Sequence, residues 1–253
     1  MTKSSIHPEV LKHFPTAILP QVLLARSLDT LAPLGFTSEN TLASVGVCRD
    51  EIAAPFADHV RMAWGEAFNI SSLAGMPSLG PAGIRAVRAH GPHDDGRRRY
   101  IFFCFTHLAI NPEGEIGICT RRGVAGPSHA CGALFGLHGV LTGASDYPAL
   151  LATMAKQEVN PDEAEFTLLG RRVAQRLQTT HPKAAPDLLT LTKIAAKLNT
   201  EELDRLLASE YDPKVADWAV FAGIQLHGPL SDCMWLGDAH AMVSGKAHNL
   251  LAS

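Results

Sequence analysis

The sequence predicts an α/β fold, and three observations carry that prediction. Helical and extended patterns alternate along its 253 residues. Residues 101–110 are apolar almost throughout and rich in β-branched and aromatic side chains, as suits a central strand covered on both faces. A second extended run, residues 216–227, follows a long stretch of helical periodicity.

The elements follow in chain order. Residues 20–34 carry Leu24, Leu28 and Leu31 at helical spacing and run into Pro33 and Gly35, which predicts a helix ending there. Residues 41–47 are short, apolar and bounded by polar positions, so they read as a buried strand. Residues 50–66 read as the helix that follows, with Pro55 tolerated in its first turns. Cys48 therefore falls at a strand-to-helix corner. Residues 71–83, rich in glycine and proline, read as a loop, 83–89 as a strand and 90–99 as a further polar loop. After the central strand, Asn111-Pro112-Glu113-Gly114 predicts a turn that brings 115–120 back as an antiparallel partner. The loop 121–128 leads to a helix over 131–141, and helical segments then run from about 147 to 209. The simplest organisation is one α/β domain over 1–253 with a helical insertion at about 147–209.

Composition narrows the function. With 46% hydrophobic and 19% charged residues the chain can bury a sizeable core. A formal charge of -3 without long basic or acidic blocks argues against nucleic acid or an anionic membrane as the main partner. No window approaches a membrane-spanning apolar run, and residues 1–7 lack the pattern of a secretory signal, so a cytoplasmic protein is expected. Five scattered cysteines do not resemble a disulfide framework and fit a reducing compartment.

Two thiolates and an imidazole would give zinc three protein ligands and leave one position open, the coordination of a catalytic site. Cys48, His107 and Cys131 form such a candidate set. Each cysteine precedes or begins an expected helix, where the positive end of the helix dipole favours a thiolate. Strand parity puts His107 on the face of Phe103 and Phe105, which could line a small apolar pocket or serve as core aromatics. Cys104 points the other way and is a poor co-ligand. Cys119 and Cys233 read as buried structural thiols, although the sequence sets no register that excludes them. The spacing alone is not specific, and compact zinc signatures are absent.

Several motifs in succession add specificity: Thr41-Leu42 before Cys48-x-Asp50-Glu51, then Leu73-Ala74-Gly75-Met76-Pro77, Phe105-x-His107, Gly114, and Ser128-x-Ala130-Cys131-Gly132-Ala133. Together they resemble the low-CO2-inducible B protein family, the theta-class carbonic anhydrases related in site and fold to the beta class. The resemblance covers about 10–143 and resumes at 220–228. It implies a beta-carbonic-anhydrase-like fold with a mostly parallel central sheet flanked by helices, a homodimer, and zinc-dependent interconversion of CO2 and bicarbonate. It also implies that Cys48, His107 and Cys131 hold Zn2+ and that Asp50 is the catalytic aspartate. In the beta class an arginine pairs with that aspartate, and Arg49, Arg121 and Arg122 are all candidates here. Leu79-Gly80-Pro81-Ala82-Gly83 departs from the lysine and threonine of some members at this loop.

Two other readings compete: a catalytically silent zinc or bicarbonate-binding protein that needs a partner, and a thiol hydrolase using Cys48 or Cys131 with His107. His90 and His93 are candidate proton shuttles, and His129 could orient the site or cap a helix. Arg97-Arg98-Arg99 reads as a solvated turn. Gly80 to Gly83 lacks the Gly-Lys-Ser/Thr of a phosphate loop.

Overall fold

The computed structural model describes residues 6–251. Its backbone is a seven-stranded sheet in the order β2-β1-β4-β7-β8-β9, with β3 hairpinned onto β4. The strands are β1 (Thr41–Gly46), β2 (Ala67–Asn69), β3 (His93–Asp94), β4 (Arg97–Ala109), β7 (Ala216–His227), β8 (Asp232–Val243) and β9 (Lys246–Asn249). β2, β1, β4 and β7 run parallel, whereas β3, β8 and β9 pair antiparallel. A separate two-stranded ribbon joins β5 (Ile118–Cys119) to β6 (Ser128–His129).

Alternation along β4 builds the two cores. Ile101, Phe103 and Phe105 enter one apolar cluster, while Tyr100, Phe102 and Cys104 enter the other. The first cluster receives Leu23 and Leu24 of α2 (Pro20–Leu31) and Phe56 and Val60 of α3 (Pro55–Trp64). The second receives Ile84 and Val87 of α4 (Gly80–His90) and Leu203 and Leu207 of α8 (Leu188–Glu210). Both faces are therefore covered, as the apolar run in β4 requires. The first cluster continues into α5 (Gly132–Thr142), α6 (Tyr147–Lys156) and α7 (Ala164–Thr180) through Leu137, Leu151 and Val173. A short α1 (Pro8–His13) adds Val10. No described helix is long and apolar enough to cross a membrane.

Several expectations need correction. Residues 83–89 are not a strand but lie inside α4, where Pro81 occupies the first turn and Ile84 and Val87, three apart, bury one stripe. The loop expected at 71–83 is correspondingly shorter. The loop expected at 90–99 contains β3 and the start of β4, joined at Asp95 and Gly96, both with positive φ (50° and 81°), the backbone of a tight Asp-Gly hairpin. Arg97 to Arg99 are thus strand residues. Arg97 makes a two-pronged pair with Asp217 (2.8 and 2.5 Å), and Arg99 bonds Asp95 at 2.9 Å. The helix expected from residue 50 begins at Pro55, because proline lacks the N–H that an interior turn needs and suits a helix start. The turn at Asn111 forms, but the predicted partner strand at 115–120 contributes a single antiparallel bridge, Ile110 to Ile116, before the chain leaves to build the β5–β6 ribbon.

Sequence reasoning stopped short of β8 and β9. A histidine pins β8 to the helical layer: His240 Nδ1 lies 3.0 Å from Asp238 and its Nε2 lies 3.1 Å from Asp204 of α8. Hydrogen bonds to Asp204 and Asp238 raise its pKa to about 9 against the opposing effect of burial. Relative to an unfolded value of about 6.5, this linkage stabilises the fold below that pH and is lost as the pH rises through about 9. The stability deficit of His240→Gln, measured by urea denaturation, is therefore expected to be larger at pH 6 than at pH 10.

Candidate functional site

Three separate segments converge where β1 and β4 end. Cys48 lies just past β1, held by a parallel bridge to Ser72. His107 is fully buried near the end of β4. Cys131 is the N-cap of α5, with extended backbone (φ -79°, ψ 130°), and so sits at the positive end of that helix. Cys48 gains no such help, since α3 starts seven residues later at Pro55 rather than at the corner the sequence suggested.

One ligand atom from each of Cys48, His107 and Cys131 lies within 4.8 Å of the others. The two sulfurs are 3.8 Å apart. Two zinc–sulfur bonds of about 2.3 Å at a tetrahedral angle place their sulfurs about 3.8 Å apart. His107 Nε2 is buried with no hydrogen-bond partner among the described residues. These donors fit a zinc ion on distance, on type and on the unused imidazole nitrogen.

Charge in the pocket points the same way. The hydrogen bond with Cys131 pulls the Cys48 thiol down to about 4, against burial and with help from His107. Cys131 moves up, because the proton shared with Cys48 stays on it and burial penalises its ionisation. Burial would raise the carboxyl of Asp50, but hydrogen bonds from Arg121 override it and hold it at about 2. Asp50 Oδ2 stands 3.8 Å from His107 Nε2, at the rim of the thiol–imidazole cluster.

The arginine left open by the sequence is settled by geometry. Arg121 grips both oxygens of Asp50 at 2.7 Å, while its Nε donates to Ser128 Oγ at 2.8 Å and its Nη2 to the carbonyl of His129 at 2.9 Å. The β5–β6 ribbon presents both of those acceptors. Arg121 also pairs with the exposed Glu51. Arg49 turns away to Glu165 of α7 at 2.7 Å. That carboxylate also accepts from the backbone N–H of Leu73 at 2.9 Å and so ties α7 to the loop beside Cys48. Gly75 in this loop has φ +67°, and a Cβ there would meet the Phe105 carbonyl at 2.2 Å, so the motif glycine lets the loop lie directly on β4.

Other candidates fall away from the cluster. Phe103 and Phe105 are core aromatics packed edge-on against Phe56 at 6.0 and 5.4 Å. Cys104 faces the opposite core, and burial pushes its thiol up to about 12. Cys233 is buried, whereas Cys119 is only half-buried and lines a cavity. His93 pairs with Arg98, nine residues before His107 and so about 30 Å along β4, and His90 ends α4 at that far side. Neither can shuttle protons here. His129 stacks on Phe135 at 3.6 Å.

Sequence reasoning missed two residues. His227 Nε2 lies 3.1 Å from His107 Nδ1, and His227 Nδ1 lies 3.0 Å from Asp232. The available signal was a histidine closing a buried strand, as His107 nearly closes β4. A cavity of about 840 Å³, lined by Glu51, Ile52, Ile110, Cys119, His227 and Asp232, opens beside the cluster.

The family model of limiting CO2-inducible proteins B/C, beta carbonic anhydrases, matches residues 17–243. The chain belongs to this family. Among solved structures, limiting CO2-inducible protein LCIB matches with a TM-score of 0.81 and 29% identity over 98% of each chain. PtLCIB4, a homolog of that protein, matches with a TM-score of 0.77 and 23% identity over 95% of this chain and 98% of its own, a likeness of fold. No curated protein sequence gives a significant match. The family's structures share the mostly parallel sheet flanked by helices seen here.

The Arg121–Asp50 pair is the most connected polar contact at the rim. Arg121→Ala is expected to lower unfolding free energy by about 2 kcal/mol by stranding a half-buried carboxylate. Glu51→Ala, at an exposed carboxylate, is expected to cost under about 0.5 kcal/mol. Urea denaturation measures both.

Proposed function

We propose that this protein is a zinc-dependent carbonic anhydrase interconverting CO2 and bicarbonate, with Cys48, His107 and Cys131 as zinc ligands and Asp50 as the catalytic residue. The observation that carries this reading is the 3.8 Å separation of two buried thiols beside an imidazole nitrogen with no hydrogen-bond partner among the described residues, in a member of a beta carbonic anhydrase family. Bound there, zinc would supply the Lewis acid that brings the ionisation of water into the neutral range.

The chain's own residues account for the rest. Asp50 is ionised at neutral pH and can only accept hydrogen bonds, so it can orient a water or hydroxide by accepting a hydrogen bond from it. Arg121 occupies both carboxylate oxygens, which supports an open resting arrangement with Asp50 held off the cluster. The adjoining cavity gives a small substrate a route to this rim. A thiol hydrolase is disfavoured, because Cys48 and Cys131 are both buried and a nucleophile needs access to its substrate.

Wider features belong to the same proposal. One domain with a helical insertion at about 147–209 is supported by the apolar cluster that runs from the sheet into α6 and α7. A homodimer is supported by the family resemblance. Five unpaired cysteines support a reducing location such as the cytoplasm.

Stopped-flow CO2 hydration by protein of known zinc content, from about pH 6.5 to 9, tests the reading. Activity should track zinc, and Asp50→Ala should lose about 100-fold or more while retaining the metal. A fully zinc-loaded chain that stays silent over this range would contradict it and favour a binding protein that needs a partner.

A further inference from the structure

His107 has two ring nitrogens, and a metal ligand must present the right one as a lone pair. The register of the sheet supplies a device for that choice. His227 on β7 is opposite Ala109 of β4, two residues from His107 on the same face, and is itself opposite Asp232 of β8. The result is a line of three side chains across three adjacent strands: His107 Nδ1 to His227 Nε2 at 3.1 Å, then His227 Nδ1 to Asp232 Oδ1 at 3.0 Å. The two rings stand at 84°. Burial is graded along the line, from 0% exposure for the His107 side chain through 8% for His227 to 38% for Asp232.

Hydrogen-bond chemistry fixes the protons. An ionised carboxylate only accepts, so it holds the proton of a neutral His227 on Nδ1. The Nε2 of His227 is then a lone pair, and His107 meets it by donating from its own Nδ1. A neutral imidazole protonated at Nδ1 has its lone pair on Nε2. That is the nitrogen of His107 with no hydrogen-bond partner among the described residues.

We propose that His227 and Asp232 are positioning residues that set the tautomer and ring orientation of His107 for metal capture, and so act through His107 without touching the metal or substrate. The inference rests on the zinc reading above. Outer partners of this kind typically change metal affinity by about 10- to 100-fold.

The test measures zinc affinity of the full chain by competition with a chromophoric chelator, alongside long-range 1H–15N spectra of the zinc-loaded imidazoles. His227→Ala is expected to weaken zinc binding about 10- to 100-fold. His227→Gln, whose side-chain oxygen restores an acceptor, recovers most of that loss, and Asp232→Ala weakens binding by about 10-fold. In the wild type both histidines carry a proton on Nδ1. Unchanged affinity in His227→Ala, or coordination of His107 through Nδ1, overturns the proposal. Should His227→Ala fail to fold, Asp232→Ala decides it, and unchanged affinity there is equally fatal. Failure of the underlying zinc reading is distinguishable: the wild type takes up no zinc, or Cys48→Ser binds as tightly as the wild type.

Discussion

Two thiols buried 3.8 Å apart set the electrostatic condition that the rest of the site answers. With one proton between them, their hydrogen bond lowers the pKa of Cys48 and raises that of Cys131. Without that proton, two like charges would face each other in a poorly solvated place, a situation stable only with a cation between them. A divalent ion with two thiolates and a neutral imidazole is a charge-balanced set, and the ion pair of Asp50 with Arg121 beside it is balanced in its own right. The site therefore asks little of the surrounding core, which can remain apolar.

The sheet delivers this arrangement through its parallel order. Adjacent parallel strands end on the same edge, so the segment after β1 and the last residues of β4 meet there, and α5 starts at the same edge with Cys131 as its cap. The β5–β6 ribbon then fixes Arg121 through Ser128 and His129, and the neighbouring strands β7 and β8 back His107 from the other side. Helical elements support the arrangement from a distance: Glu165 of α7 and Asn199 of α8 hold the loop at 73–75 against β4.

What the sequence made legible was local. The alternation in residues 101–107 correctly separated His107 from Cys104, the strand over 216–227 was found within its observed bounds, and Cys131 was placed at a helix start. Where reading failed, two periodicities or two partners competed. Ile84 and Val87 are β-branched and sit in a window too short to separate a period of 2 from one of 3.6, and only Pro81 signalled the helix. Asp95-Gly96 carried a hairpin signal that the polar run around it masked. The choice of Arg121 over Arg49 and Arg122 depended on a ribbon of two two-residue strands, a tertiary feature with no periodicity of its own. The pairing of His227 with His107 required strand order, which no local pattern encodes.

On the proposed reading, Cys48, His107 and Cys131 hold one zinc ion and leave a position for a light ligand. X-ray absorption at the zinc edge of the loaded protein tests it most directly. The account predicts two sulfurs at about 2.3 Å and two nitrogen or oxygen neighbours at about 2.0 Å, with one sulfur lost in Cys131→Ser. A shell of nitrogen and oxygen alone, or four sulfurs, would contradict it.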